Sequence, residues 1–326
     1  MAKQIQFSRN GGPEVLEIQE FTPQDPGVGE VQVENKAIGI NYIDTYIRSG
    51  LYPTALPSGL GTEAAGVVIK TGAGVTGIKV NDRVVYAQSK PGAYSTLHNV
   101  AAEKVVQLPT AISFEQAAAA FLKGLTVHYL LRQTYEIQPE ETFLFHAASG
   151  GVGLIACQWA KALGARLIGT VGSAEKAQRA KAAGAWAAIN YRHENVVQRV
   201  AELTNNKKVR VVYDSVGKDT WEASLDCLQP RGLMVSYGNS SGPVTGVNLA
   251  ILNQKGSLYV TRPSLDGYIT CHDELVTASN ELFALIACGA INVDVPERQK
   301  FDLSEVQKAH ATLESRATQG SCLLIP

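Results

Sequence analysis

Apolar and polar positions alternate in the first third of the chain, most clearly at Glu30-Val31-Gln32-Val33-Glu34, and the segments 61–69 and 82–86 continue in that style. Gly and Pro interrupt the pattern at Gly11-Gly12-Pro13, Pro23, Pro26-Gly27, Pro53, Pro57 and Gly59. A two-residue period bounded by turn formers predicts strands, hence a compact β-rich domain of barrel type.

The texture changes near Ser113, which can cap a helix over 114–120; 122–132 reads as a second helix. A βα rhythm follows: strand 142–147, helix 151–163, strand 166–171, helix 174–183, strand 187–190 and helix 194–204. It continues with strand 209–214, helix 219–228, strand 233–237 and strand 257–262. Such alternation predicts an α/β fold with a parallel, doubly wound sheet and helices on both faces. Beyond it lie a helical pattern over 273–287, a strand-like Phe301, a helix over 304–315 and a closing strand over 321–325. The chain is therefore read as a first domain over 1–125, completed by 289–326, and a nucleotide domain over 126–288. The substrate is expected in a cleft between them.

The most informative stretch is Leu144-Phe145-His146-Ala147-Ala148-Ser149-Gly150-Gly151-Val152-Gly153. A strand enters a glycine-rich turn and a helix leaves it, as a dinucleotide site requires. The glycines allow close approach to a pyrophosphate, and the helix N-terminus offers N–H groups and a positive dipole end. Alanine (Ala148) stands where the usual spacing has its first glycine. His146, on the strand, reads as a packed core residue.

The end of the next strand selects the cofactor. An NAD site places a carboxylate there, on the ribose 2′-OH. Here no acid lies between Arg166 and Ala174; Gly172 and Ser173 fill the position, and Lys176 follows one helical turn on. A hydroxyl and an ammonium suit a 2′-phosphate, which favours NADPH over NADH.

Bulk properties narrow the remaining options. The chain has 326 residues, 45% hydrophobic and 18% charged, enough for two cores. A net charge of −1 argues against a dedicated polyanion binder. Five cysteines (Cys157, Cys227, Cys271, Cys288 and Cys322) are scattered without a C-x-x-C pair, so neither a disulfide framework nor a zinc site is expected. The N-terminal residues lack the apolar core of a signal peptide, and no run of about 18 apolar residues appears. A cytoplasmic protein without membrane association is expected.

The run Leu144-x-x-x-Ala148-Ser149-Gly150-Gly151-x-Gly153-x-x-x-x-Gln158-x-x-Lys161, with the opening Gly11-Gly12-Pro13-Glu14-Val15-Leu16, resembles the quinone oxidoreductase and zeta-crystallin branch of the medium-chain dehydrogenase/reductase superfamily. The resemblance implies a GroES-like twisted-barrel catalytic domain, a Rossmann NADPH domain and a homodimer. An apolar edge strand near 257–261 would suit self-pairing. In zinc-dependent members a Gly-His-Glu motif supplies a metal ligand; here it reads Gly61-Thr62-Glu63, and residues 1–156 contain no cysteine. No metal is expected.

Without a Lewis acid, activation of an alcohol is difficult, whereas a quinone or a conjugated carbonyl accepts hydride readily. The resemblance places Asn41, Tyr46 and Tyr52 beside the nicotinamide; an amide N–H and phenolic O–H groups can hydrogen-bond an acceptor oxygen. It implies cofactor contacts from Tyr42, Ile43, Asp44, Thr45, Tyr46 and Tyr129, and a pyrophosphate seat at Gly150, Gly151 and Val152. Tyr191 and Arg316 join Gly172, Ser173 and Lys176 around the 2′-phosphate. Ser215 and Val216, Tyr237, Gly238, Asn239 and Ser240, and Pro263 and Ser264 complete the set, the first two groups at carboxyl ends of strands. Asp44 is expected to be ionised and to orient its neighbours, which leaves solvent as the proton source. Reduction of quinones is the leading reading, reduction of α,β-unsaturated aldehydes or ketones the next. A non-catalytic nucleotide-binding or crystallin-like protein stays open; the near-neutral net charge and missing aromatic stacking motif disfavour RNA.

Overall fold

A computed structural model describes residues 1–293, 295–315 and 318–326. The chain forms two compact units: Met1–Leu125 with Ile269–Gly289 and Val293–Pro326, and Thr126–Tyr268 with Ala290–Asn292.

The first unit is built on the strand Glu30–Ile40, which pairs antiparallel with Ala64–Thr71, Leu97–Ala101 and Cys322–Ile325. Val31 and Val33 are buried as their alternation predicts. Gln32 and Asn35 are buried too, beside irregularities in pairing with Ala64–Thr71. Each has its polar atoms satisfied: Gln32 donates to Gln24 O (2.8 Å), and Asn35 donates to Ala93 O and Ser95 O and accepts from Tyr86 Oη at 2.9–3.1 Å.

The segments read as helices over 114–120 and 122–132 are one α-helix, Phe114–His128, followed by a π-helical turn, Tyr129–Thr134. Ser113 caps it, accepting from the Gln116 N–H at 3.1 Å while Gln116 accepts from the Ser113 N–H at 3.0 Å. Gly124 does not break the helix. Its missing side chain admits Leu282, since a Cβ there would lie 2.5 Å from that side chain, and Phe121 stacks on Phe283 at 5.8 Å. These contacts draw the helix His272–Ala287 into the first unit, whereas the sequence reading extended the nucleotide domain to 288.

The second unit carries six parallel strands in the order Ala187–Asn190, Arg166–Val171, Thr142–Phe145, Val209–Asp214, Leu228–Ser236, Tyr259–Thr261. The strand order reverses beside Thr142–Phe145, the switch point where this fold binds ligands. Phe143, Leu144, Phe145, Leu167, Ile168, Val211 and Val212 are buried, because a parallel sheet is covered on both faces. The fifth strand starts at Leu228, before the predicted 233: its first half, Gln229-Pro230-Arg231-Gly232, is polar and turn-forming, with Arg231 at φ 60° and a register shift in the pairing between Val209 and Val211.

Candidate functional site

The glycine turn is built around one unusual backbone. Ala147 leaves the first strand at φ 55°, a left-handed conformation that only a tight turn demands of alanine. Gly150 donates to Ala147 O at 3.0 Å and becomes the N-cap of the helix Gly151–Ala162. A Cβ on Gly153 would lie 2.4 Å from Ala147 O and 2.6 Å from Ala148 Cα, so glycine is required there. Gly150, Gly151 and Val152 thus share a helix N-terminus with no capping side chain. First-turn N–H groups have no acceptor within the helix and suit an anion.

Gly172, Ser173, Lys176 and Tyr191 come together at the ends of the second and third strands. The Tyr191 N–H donates to Val171 O at 3.1 Å, and a Cβ on Gly172 would fall 2.8 Å from the Tyr191 hydroxyl. Ser173 caps the helix Ala174–Ala182, accepting from the Lys176 N–H at 3.2 Å. Its oxygen is therefore partly committed, and the hydroxyl proton is what it can offer a ligand. Arg316 lies outside the described residues.

Two further loops are laced together. Ser240 donates to Ser215 O (3.1 Å) and Ser241 to Val216 O (2.8 Å), while Tyr237 donates to Asp214 O at 2.8 Å. Gly238 has no room for a side chain, its Cβ position being 2.5 Å from Ser215 O. Beneath them Asp214 is fully buried. It accepts from the Val216 and Gly217 N–H groups (2.7 and 3.0 Å) and from the Thr220 and Ser224 hydroxyls (2.7 and 2.8 Å). His146 joins this network, 2.9 Å from both Thr170 Oγ1 and Ser224 Oγ, and burial lowers its pKa. It is a neutral, fully bonded core residue.

Arg262 donates to Ser236 O (2.9 Å) and Gly238 O (3.0 Å), tying the segment before Pro263 and Ser264 to the Tyr237–Ser240 loop. Tyr129 stacks on Tyr268 at 4.8 Å in the π-helical turn. The Tyr213 hydroxyl donates to Leu130 O in the same turn, at 2.9 Å. Single π-turns of this kind recur at functional positions.

In the first unit, Asn41 is the N-cap of the helix Tyr42–Ser49. Tyr42, Tyr46 and Tyr52 form an aromatic row, with ring centroids 6.2 and 5.3 Å apart. The hydroxyl of Thr45 donates to Tyr42 O at 2.7 Å, and Ile43 packs against the core. Asp44 is not the ordinary carboxylate expected from sequence. It is fully buried, its Oδ2 accepting from the Asn41 N–H and the Tyr94 hydroxyl, both at 2.8 Å, and burial pushes its pKa up to about 7. Beyond Tyr94 lie the buried His310 and Arg48, and Arg48 reaches out to the exposed Glu314, a chain of polar contacts with no signature in local sequence. The amide of Asn41 donates to Glu63 Oε2 at 2.7 Å, so one of its two N–H groups is already used. Among the described residues no group of three or more His, Cys, Asp or Glu could hold a metal ion.

Two family models match the chain: an alcohol dehydrogenase GroES-like domain over residues 27–110 and a zinc-binding dehydrogenase domain over 151–285. The second description names a metal, but the zinc-ligand position in this chain holds Thr62. The quinone oxidoreductase of Salmonella typhimurium is 73% identical over 327 residues, 100% of each chain. A 2-haloacrylate reductase from Burkholderia is 40% identical, covering 98% of this chain and 97% of its own. The solved structure of Escherichia coli quinone oxidoreductase complexed with NADPH matches with a TM-score of 0.99 at 73% identity, covering 99% of this chain and 100% of that one. With a GroES-like unit, a six-stranded parallel nucleotide-binding unit and full-length identity of this order, the chain belongs to the quinone oxidoreductase family of the medium-chain dehydrogenase/reductase superfamily.

Proposed function

We propose that this protein reduces quinones with NADPH, by hydride transfer and without zinc. The observation that carries the reading is 73% identity along the entire chain to quinone oxidoreductases, one of them solved with NADPH. The geometry fits that cofactor: an uncapped helix N-terminus behind a glycine that tolerates no Cβ, and a second-strand terminus bearing Ser173 and Lys176 in place of a carboxylate.

When bound, NADPH supplies the hydride from its nicotinamide C4. The remaining tasks belong to the chain. Gly150, Gly151 and Val152 seat the pyrophosphate, and Gly172, Ser173, Lys176 and Tyr191 receive the 2′-phosphate. Segment 42–46, Tyr129, Ser215, Val216, the Tyr237–Ser240 loop, Pro263 and Ser264 orient the nucleotide. The second amide N–H of Asn41 and the hydroxyls of Tyr46 and Tyr52 donate to the acceptor oxygen as negative charge builds on it. Solvent supplies the proton.

The likeness to a 2-haloacrylate reductase favours one second reading, reduction of conjugated carbonyl compounds at the same site. Initial rates with NADPH and NADH, on 1,2-naphthoquinone and on an alkenal, separate the two; activity is expected to survive dialysis against EDTA. Absence of turnover on either acceptor, with NADPH still bound, would sink the enzymatic reading.

The protein is further proposed to act in the cytoplasm as a homodimer. Among the described residues no helix is long and apolar enough to cross a membrane. The strand Tyr259–Thr261 ends the six-stranded sheet with Tyr259 61% and Val260 39% exposed, a surface suited to a twin strand. A monomer mass by light scattering at micromolar concentration would refute the dimer.

A further inference from the structure

Glu63 is buried without a place in the chemistry described above, and the way it is held gives it one. Its Oε1 accepts from the Leu122 N–H at 2.5 Å and its Oε2 from Asn41 Nδ2 at 2.7 Å, with Lys123 Nζ 3.8 Å from Oε2. Both the carboxylate and the ammonium are buried. The space for this carboxylate is reserved: a Cβ on Gly39 would lie 2.2 Å from Glu63 Oε2 and 2.4 Å from Ala118 O.

We propose that Glu63 is a positioning residue that fixes which end of the Asn41 side-chain amide is presented to the acceptor. The inference rests on the reading of Asn41 as a donor to the acceptor oxygen. The backbone of Asn41 is pinned, its N–H held by Asp44 Oδ2 at 2.8 Å, and its side-chain oxygen faces the Asp44 N–H in a capping box, an arrangement that agrees with the NH2 lying toward Glu63. A carboxylate only accepts hydrogen bonds. With both oxygens of Glu63 engaged by N–H groups, Asn41 must turn its NH2 toward Oε2, and the opposite orientation would set oxygen against oxygen in a buried place. The orientation of the second N–H follows from that constraint. Burial raises the pKa of Glu63, and the Lys123 ammonium 3.8 Å from Oε2 opposes that rise.

Glu63→Gln tests this with little change of shape. When the introduced carbonyl keeps the bond to the Leu122 N–H, its NH2 faces Asn41, which then turns its oxygen inward and withdraws its donor. Expected is a loss in kcat with quinone on the order of 100-fold, the scale for one donor to a developing oxyanion, with the KM for NADPH unchanged. Combining Glu63→Gln with Asn41→Asp rebuilds the buried hydrogen bond in reverse polarity. It should regain thermal stability but not kcat, since position 41 then has no N–H to donate.

Unchanged kcat in Glu63→Gln, or recovery of kcat in the reversed pair, would reduce Glu63 to a packing role. Asn41→Ala separates the two ideas: if it leaves kcat intact, the donor reading of Asn41 fails; if it lowers kcat while Glu63→Gln does not, only the present inference fails. Should Glu63→Gln not fold, NMR on the unmodified protein decides. One proton of the Asn41 side-chain amide should exchange slowly with solvent, and fast exchange of both overturns the proposal.

Discussion

Ala148 occupies the space that Gly169 leaves open on the neighbouring strand: a Cβ added to Gly169 would lie 2.5 Å from the Cβ of Ala148. Alanine in place of the first glycine of the nucleotide turn is thus matched by a glycine across the sheet. Gly169→Ala should overpack this contact and cost about 1–3 kcal/mol in urea unfolding. Ala148→Gly should recover most of that loss in the double variant. Additive effects would mean that the two positions do not share this space.

Asp214 holds four donors, from Val216, Gly217, Thr220 and Ser224. Asp214→Asn would replace one accepting oxygen by a donor and take the acceptor from two of those four groups. The expected results are a stability loss of about 3 kcal/mol, as for a broken buried network, and weaker NADPH binding by fluorescence titration. An affinity equal to that of the parent would detach the network from the proposed cofactor contacts at Ser215, Val216 and Tyr237–Ser240.

His310 lies 2.9 Å from Arg48 through Nδ1 and 3.2 Å from the Tyr94 hydroxyl through Nε2. Arginine only donates, so the proton of the neutral ring sits on Nε2. Burial, helped by Arg48, pushes its pKa from 6.5 down to about 3. Between those values the unfolded chain binds a proton that the folded chain refuses, so this contribution is complete above about pH 6.5 and is lost on acidification, by up to about 1.4 kcal/mol per pH unit. Asp44 works in the opposite sense: with its pKa raised from 3.8 to about 7, its contribution is lost as pH rises through that window. The stability difference between His310→Gln and the parent should therefore shrink as pH falls below about 6.5. Denaturant titrations across that range check it, and a difference independent of pH would show that His310 is not held neutral.

Ser173 serves its helix and, on the proposed reading, the 2′-phosphate as well. Ser173→Asp separates these duties because aspartate caps equally well. Stability should stay within about 0.5 kcal/mol, while the KM for NADPH rises about 10- to 100-fold, the scale of losing a charge-assisted hydrogen bond. NADH should gain relative to it. An unchanged cofactor preference would remove Ser173 from the 2′-phosphate site.

The nucleotide-binding unit was the more legible of the two. Its central strands are continuous apolar runs such as Phe143-Leu144-Phe145, and its loops sit at strand ends that the βα rhythm marks. What stayed hidden depends on partners far away in sequence. The single helix Phe114–His128 was divided in two, and its contact with His272–Ala287 rests on Gly124 facing Leu282. The π-turn at Tyr129 has no periodic signature. Glu63 drew notice only as part of a motif lacking a metal ligand, and the raised pKa of Asp44 follows from burial that local sequence does not encode. Arg316 falls outside the described residues.

The pairing of Cys322–Ile325 with Glu30–Ile40 joins segments separated by most of the chain. During synthesis, Glu30–Ile40 must wait for that neighbour while Thr126–Tyr268, a continuous stretch holding its whole six-stranded sheet, is already available to fold. Contacts so distant in sequence are slow to form, and a strand left waiting exposes its unpaired edge. The nucleotide-binding unit can thus take shape first on the ribosome, and the amino-terminal unit, although made earlier, is completed last.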